Sequence, residues 1–180
     1  MNRAVFLDRD GTINEEAPYI AQIRDLHIYP FASAAIQQLN SAGFLVIIIT
    51  NQSGVGRGLI PLARLTEIHA ALRSELAAVH ARIDAIYACT HTPEENCACR
   101  KPSPGLVLQA IADFAIDASR SFFVGDKRED ILTARAVGIT PILVRTGYGR
   151  DTQDLPDIQP ILTVDTLADA AAAILAVPHA

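Results

Sequence analysis

At 180 residues, half of them apolar and 19% charged, the chain is long enough to bury a substantial core and too apolar to be disordered. A net charge of −5 with no run of Lys or Arg argues against a nucleic-acid partner or a membrane surface, and no apolar stretch reaches transmembrane length. The N-terminus lacks the charged, apolar, then small-residue pattern of a signal peptide, so residues 1–180 are expected to form one cytoplasmic domain.

The chain opens on a short apolar run, 4–7, that reads as a buried strand and leads directly into Asp8-Arg9-Asp10-Gly11-Thr12. Two carboxylates this close repel each other unless a cation or a proton separates them, and the carboxyl end of a strand is where open α/β sheets place ligands. A helical pattern over 32–42 precedes a second strand, 44–49, which ends in Thr50-Asn51-Gln52-Ser53-Gly54. A hydroxyl, amides and flexible backbone at that edge suit a phosphate oxygen; the plainer reading makes Thr50 and Ser53 caps of the next helix. That helix is expected over 62–79, followed by a third strand over 83–88.

All three cysteines then fall at 89, 97 and 99, an odd and tight cluster unlike a disulfide framework. Cys89, His91, Cys97 and Cys99 supply three thiolates and an imidazole, which suit a closed, structural tetrahedral Zn²⁺ site. Arg100-Lys101-Pro102 follows at once. A single Lys or Arg is ordinarily a solvated surface charge. A metal-tied loop would instead present Lys101 as a point charge to a phosphate dianion and Arg100 as a two-pronged clamp for a second anion.

A helix over 104–114 and a fourth strand over 121–124 lead to Gly125-Asp126-Lys127-Arg128-Glu129-Asp130. Asp130 suits a helix N-terminus. Asp126, directly after a strand, fits better as a ligand of Mg²⁺, for which Asp8, Asp126 and one backbone carbonyl would suffice. A helix over 130–137, a strand over 141–144, a short edge strand near 161–163 and an Ala-rich helix over 167–175 complete the chain. The alternation implies an α/β fold with a doubly wound, parallel, Rossmann-like sheet. The Gly54, Gly56, Gly58 series lacks P-loop and dinucleotide spacing, so no nucleotide cofactor is expected. His27, His69, His80 and His179 fall at no motif and read as ordinary helix, loop or tail residues.

D-R-D-G-T, T-N-Q-S-G, the R-K-P lysine and G-D-x-x-x-D, in this order over 8–130, resemble the four motifs of the haloacid dehalogenase (HAD) superfamily. The C-x-H-x5-C-x-C loop before R-K-P is similar to that of the D-glycero-D-manno-heptose 1,7-bisphosphate 7-phosphatases and of the histidinol-phosphate phosphatases. The run over 50–58 resembles the heptose enzymes, since the histidinol enzymes usually carry an acidic residue where Ser53 stands. The resemblance implies a capless HAD fold with a zinc loop, and Mg²⁺-dependent removal of the 7-phosphate from a small sugar bisphosphate. The product would feed ADP- or GDP-heptose synthesis for lipopolysaccharide or another glycan.

It further implies that Asp8 is the nucleophile of an aspartyl-phosphate mechanism and Asp10 the general acid and base, with Thr50 and Lys101 on the phosphate oxygens. Mg²⁺ would rest on Asp8, the Asp10 carbonyl and Asp126, backed by Lys127 and Asp130, and Zn²⁺ on Cys89, His91, Cys97 and Cys99. Substrate contacts would come from Glu16, Ala17, Pro18, Tyr19, Asn51, Gln52, Ser53, Arg57 and Arg100, the last on the uncleaved phosphate. A site contained in one chain favours a monomer.

A histidinol-phosphate phosphatase is the alternative with the same fold, metals and mechanism. A polynucleotide 3′-phosphatase shares the second motif but lacks the zinc knot, and the acidic balance disfavours it. Outside the enzymes, a phospho-accepting receiver module also combines acidic residues, Mg²⁺, Thr and Lys. Its phosphorylated aspartate, however, follows the third strand and its lysine the fifth, unlike the order here.

Overall fold

The computed structural model describes residues 1–159 and 161–177, so His179 lies outside the described residues. Six strands, β1 (Ala4–Leu7), β2 (Leu45–Asn51), β3 (Ala85–Cys89), β4 (Phe122–Gly125), β5 (Thr140–Val144) and β6 (Leu162–Val164), form one sheet. Their order is β3-β2-β1-β4-β5-β6, and every neighbouring pair is parallel. Parallel neighbours require crossovers. These are built from α1 (Ala32–Ser41), the single turn α2 (Ser53–Gly56), α3 (Leu62–Ala78), α4 (Gly105–Phe114), α5 (Arg128–Ala136) and a second single turn, α6 (Gly149–Thr152), while α7 (Leu167–Ala176) closes the chain. The doubly wound parallel sheet expected from the alternation of patterns is the one the chain forms.

Strands covered on both faces read as continuous apolar runs, and β1 is buried at every position. The helices meet the sheet along narrow stripes: Ala32, Ala35, Ile36 and Leu39 of α1 and Leu65, Ile68, Leu72 and Leu76 of α3 repeat at three- and four-residue spacing. Each fully buried Leu or Ile contributes about 1.5–3 kcal/mol over its exposed state. One core gathers α1, α3 and α7 with Val5, Leu7, Val46 and Ile48; the opposite core gathers Phe6, Ile47, Ile49 and Phe123 with Val107 and Ala110 of α4.

Most boundaries shift by one or two residues from the sequence pattern, and two of the differences bear on function. Strand β2 continues through Thr50 and Asn51, which pair in register with Ala88 and Cys89, so Thr50 stands on rigid strand rather than at a helix cap. The turn α2 has Gln52 at its N-cap and no side-chain capping bond. Helix α5 begins before Asp130, which sits at the third helical position and accepts the Lys127 N–H on Oδ2 at 3.0 Å.

Among the described residues no cap interrupts the sheet. Only the 3₁₀ turn Ile23–Asp25 lies between β1 and α1, and only α2 and α3 lie between β2 and β3. Nor is any helix long and apolar enough to cross a membrane. Strand β1 is flanked by β2 on one side and β4 on the other, so the direction of winding reverses there. Open α/β sheets bind ligands at the carboxyl ends of strands at such a point.

Candidate active site

Asp8 leaves the end of β1 at this reversal. Its own N–H donates to the Val124 carbonyl of β4 at 3.0 Å. Its Oδ1 accepts from the Arg9 N–H at 2.7 Å and from Lys101 Nζ at 2.9 Å, while Lys127 Nζ stands 3.8 Å from Oδ2. Burial alone would raise the Asp8 pKa, but the Lys101 and Lys127 cations outweigh it and hold the carboxyl below the usual carboxylate range. The group is therefore ionised although it is buried.

Lys101 is itself buried and donates to three acceptors: Asp8, Asp130 Oδ1 at 2.6 Å and the Ile49 carbonyl at 2.9 Å. Burial opposes its charge, yet Asp130 and Asp8 prevail and raise its pKa. Its backbone is fixed from the sheet, because Asn51 Oδ1 accepts the Lys101 N–H at 3.1 Å and Asn51 Nδ2 donates to the Lys101 carbonyl at 3.2 Å. Asn51 thus holds the incoming loop in register with β2.

Asp126, at the end of β4, is fully buried. Its Oδ2 accepts the Tyr148 N–H at 2.8 Å, and its Oδ1 has no hydrogen-bond partner. Gly11 (φ +82°) and Gly147 (φ +55°) make room for it, since a Cβ on either would overlap the carboxylate and neither backbone suits an L side chain. Burial, reinforced by the Asp8 and Asp130 charges, pushes Asp126 up to about 8. Oxygens of Asp8, Asp126 and Asp130 lie within 4.8 Å of one another. An unpartnered buried carboxylate oxygen among hard oxygen donors fits a divalent cation such as Mg²⁺.

Asp10 is held by a different set. The Arg9 guanidinium grips it through Nε to Oδ1 at 3.0 Å and through Nη2 to Oδ1 and Oδ2 at 2.9 and 2.8 Å. Asn14 Nδ2 donates to Oδ1 at 2.9 Å, and Gln52 Nε2 donates both to Oδ2 and to Thr50 Oγ1, each at 2.8 Å. Gln52 Oε1 in turn accepts from Arg9 Nη2 at 3.2 Å. The far side of Arg9 meets His69 of α3, Nη1 to Nε2 at 3.1 Å. Neither Arg9 nor His69 is assigned a role by the sequence pattern, although His69 lies four residues after Leu65 and seven before Leu76 on the inward face of α3.

The Cys89, His91, Cys97 and Cys99 ligand atoms converge. Sulfur separations are 3.2–3.6 Å, and His91 Nδ1 is 3.1 Å from Cys99 Sγ and 3.7 Å from Cys89 Sγ. Tetrahedral Zn–S bonds of about 2.3 Å imply sulfur separations of about 3.7 Å, so the donor set and its spacing fit Zn²⁺. The loop is also fastened to its surroundings. Gly56 N–H donates to the Thr90 carbonyl at 2.9 Å and Gly105 N–H to the Ala98 carbonyl at 3.0 Å, and a Cβ at either glycine would overlap that oxygen.

A cavity of about 610 Å³ opens over this arrangement, with Asp8, Asp10, Thr50, Asn51, Arg100, Lys101, Lys127 and Asp130 on its walls. The segment bearing Glu16, Ala17, Pro18 and Tyr19 lines an adjoining recess of about 70 Å³, together with Gln52 and Ser53. Glu16 binds Lys127 Nζ at 2.7 Å and links the recess to the cavity. Arg57 lies outside both and faces Glu94 of the zinc-type loop at 3.5 Å. Most of the residues singled out from the sequence thus border these two adjoining spaces, which share Asp10, Asn51 and Lys127 on their walls.

The chain is similar to known phosphatases in sequence and in fold. The HAD-hydrolase-like family model matches residues 98–170. A D-glycero-beta-D-manno-heptose-1,7-bisphosphate 7-phosphatase of Pseudomonas putida is 42% identical over 168 residues, covering 92% of this chain and 95% of its own. The enzyme of the same name from Pseudomonas aeruginosa is 40% identical over 177 residues, covering 97% and 99%. Among solved structures, the D,D-heptose 1,7-bisphosphate phosphatase of B. bronchiseptica, complexed with magnesium and phosphate, superimposes with a TM-score of 0.90 at 34% identity, over 96% of this chain and 98% of that one.

Proposed function

Since the chain belongs to the D-glycero-D-manno-heptose-1,7-bisphosphate 7-phosphatase family of HAD-like hydrolases, we propose a division of labour among its residues on a small phosphorylated sugar. The chain is a phosphatase, and the reaction is removal of the 7-phosphate of heptose 1,7-bisphosphate. The observation that carries the residue assignment is the buried Asp8 carboxylate, fixed at 2.9 Å by Lys101 and faced by Lys127, beside an Asp126 oxygen that has no partner.

Asp8 Oδ attacks phosphorus, the bond from phosphorus to the sugar oxygen breaks, and Asp10 gives its proton to the departing alkoxide. Asp10 then takes a proton from water, whose oxygen attacks the aspartyl-phosphate and releases inorganic phosphate and free Asp8. Thr50 Oγ1 and Lys101 Nζ, both held by other groups beforehand, stabilise charge on the phosphoryl oxygens without reorganising. Asp8, the Asp10 carbonyl and Asp126 would hold Mg²⁺, with Lys127 and Asp130 behind them, and the cation would offset the negative charge on phosphate as the carboxylate approaches.

Arg100 lines the same cavity and serves the phosphate that is not cleaved. Glu16, Ala17, Pro18, Tyr19 and Ser53 face the sugar from the adjoining recess. The scheme calls on no group from a second chain, and we read the enzyme as a monomer. A histidinol-phosphate phosphatase would need no second phosphate contact. The kcat/KM for heptose 1,7-bisphosphate is expected to exceed that for histidinol phosphate by at least about a hundredfold, roughly 2.7 kcal/mol of transition-state discrimination. Phosphate release measured side by side checks it, and a preference for histidinol phosphate would move the chain to that class.

The Cys₃His loop carries Zn²⁺ as scaffolding and presents Arg100 and Lys101 to the cleft. One zinc per chain is therefore expected by elemental analysis. Cys99→Ser should lower zinc content and reduce kcat/KM by about 10- to 100-fold with Mg²⁺ in excess. Full activity in a zinc-free Cys99→Ser protein would remove the scaffolding role.

A further inference from the structure

We propose that His69 is a positioning residue for this reaction, acting through Arg9 to fix the carboxylate of Asp10. The proposal rests on the reading of Asp10 as the proton carrier. Arg9 is among the largest fully buried side chains, with 1% of its surface exposed. Its guanidinium is planar, so a group that fixes one edge also fixes the other. One edge, Nε and Nη2, holds Asp10 and Gln52, whereas Nη1 on the opposite side meets His69 Nε2 at 3.1 Å.

Arginine can only donate. His69 Nε2 must therefore accept, which makes His69 the neutral tautomer with its proton on Nδ1. Burial and the Arg9 charge agree with this, holding the imidazole down to about 4. The other charged groups that act on it are Asp10 and Arg73, the latter one turn along α3. A Leu at this position would leave Nη1 of a buried cation without its acceptor, and the guanidinium would turn in search of another, taking Asp10 with it. Proton transfer in the first step is sensitive to such a shift, because a misplacement of about 1 Å can cost about 10²-fold.

The test compares two leaving groups. A sugar alkoxide needs a proton as it departs, whereas p-nitrophenolate does not, and kcat/KM reports the step up to aspartyl-phosphate formation for both. His69→Leu is expected to lower kcat/KM for heptose 1,7-bisphosphate by roughly thirtyfold and for p-nitrophenyl phosphate by less than about threefold. His69→Gln, which restores a neutral acceptor near the Nε2 position, is expected to return the heptose value to within about threefold of the parent. Equal losses on both esters, no loss on either, or no rescue by Gln would overturn the proposal. Asp10→Asn measured in parallel separates the two levels. If it lowers the heptose value at least about a hundredfold more than the aryl value, Asp10 is the acid. If it lowers both alike, the reading of Asp10 fails, whatever His69 does.

Discussion

Asp8→Asn is expected to lower phosphate release from heptose 1,7-bisphosphate by at least about 10⁴-fold while leaving the protein folded. The substitution is nearly isosteric, and the amide oxygen can still accept from the Arg9 N–H and from Lys101, which hold Oδ1 at 2.7 and 2.9 Å. What is lost is the negative charge that attacks phosphorus, together with one oxygen donor for the cation. Lys101 keeps Asp130 at 2.6 Å, so no buried ammonium is left without a counter-charge. Acid-quenched reactions with labelled substrate provide the direct check. Label should be trapped on the parent protein as a base-labile acyl phosphate and be absent from the variant. A variant that retains more than about a hundredth of the parent rate would mean that water attacks the substrate directly.

Lys101→Met should damage stability as well as activity. The lysine is the cation between two buried carboxylates, and methionine leaves Asp8 and Asp130 facing each other with only Lys127 nearby to offset their charges. Removing one partner of a buried charge cluster typically costs about 3–5 kcal/mol, which for a chain of this size is a fall of roughly 10 °C in Tm. Activity should fall below about a thousandth, since the phosphoryl oxygens lose their charge partner too. Thermal melts of the single variant and of Lys101→Met combined with Asp130→Asn separate these effects. The second change removes the stranded charge and keeps an oxygen for the Lys127 N–H at the start of α5. Stability should largely return and activity should not. A double variant no more stable than the single one would place the cost elsewhere than in the two carboxylates.

Much of the site is legible in the sequence because its residues follow strands. An apolar run that ends abruptly in Asp, Thr or Gly-Asp marks both the end of a strand and the sheet edge where ligands bind, so Asp8, Thr50 and Asp126 could be named from local pattern alone. Lys101 was legible for another reason: it follows a cluster of thiols and an imidazole that only a metal readily explains. Arg9 and His69 were not legible, because their meeting is a long-range contact between the end of β1 and the middle of α3. The spacing of Leu65, His69, Leu72 and Leu76 was the available signal, a polar residue on a stripe that otherwise faces the core. Gln52 reads as a ligand contact from its motif, yet its amide is already engaged by Asp10, Thr50 and Arg9, which local sequence does not reveal. The continuation of β2 through Thr50 and Asn51 was hidden likewise, since polar residues look like loop until the partner strand is known.

The fastening of the loop over 90–105 bears on how substrates are told apart. Two backbone contacts, Gly56 with the Thr90 carbonyl and Gly105 with the Ala98 carbonyl, tie this wall of the cleft to α2 and α4, and a cation on its four convergent ligand groups would tie it further. An enzyme with a closing lid can spend binding energy on closure and assemble its catalytic groups only around the right molecule. A wall fastened in this way favours a preformed site over such induced fit. Discrimination on this side is then expected to come from static shape and charge, with a wrong ester of similar size refused by missing contacts rather than by a failure to close.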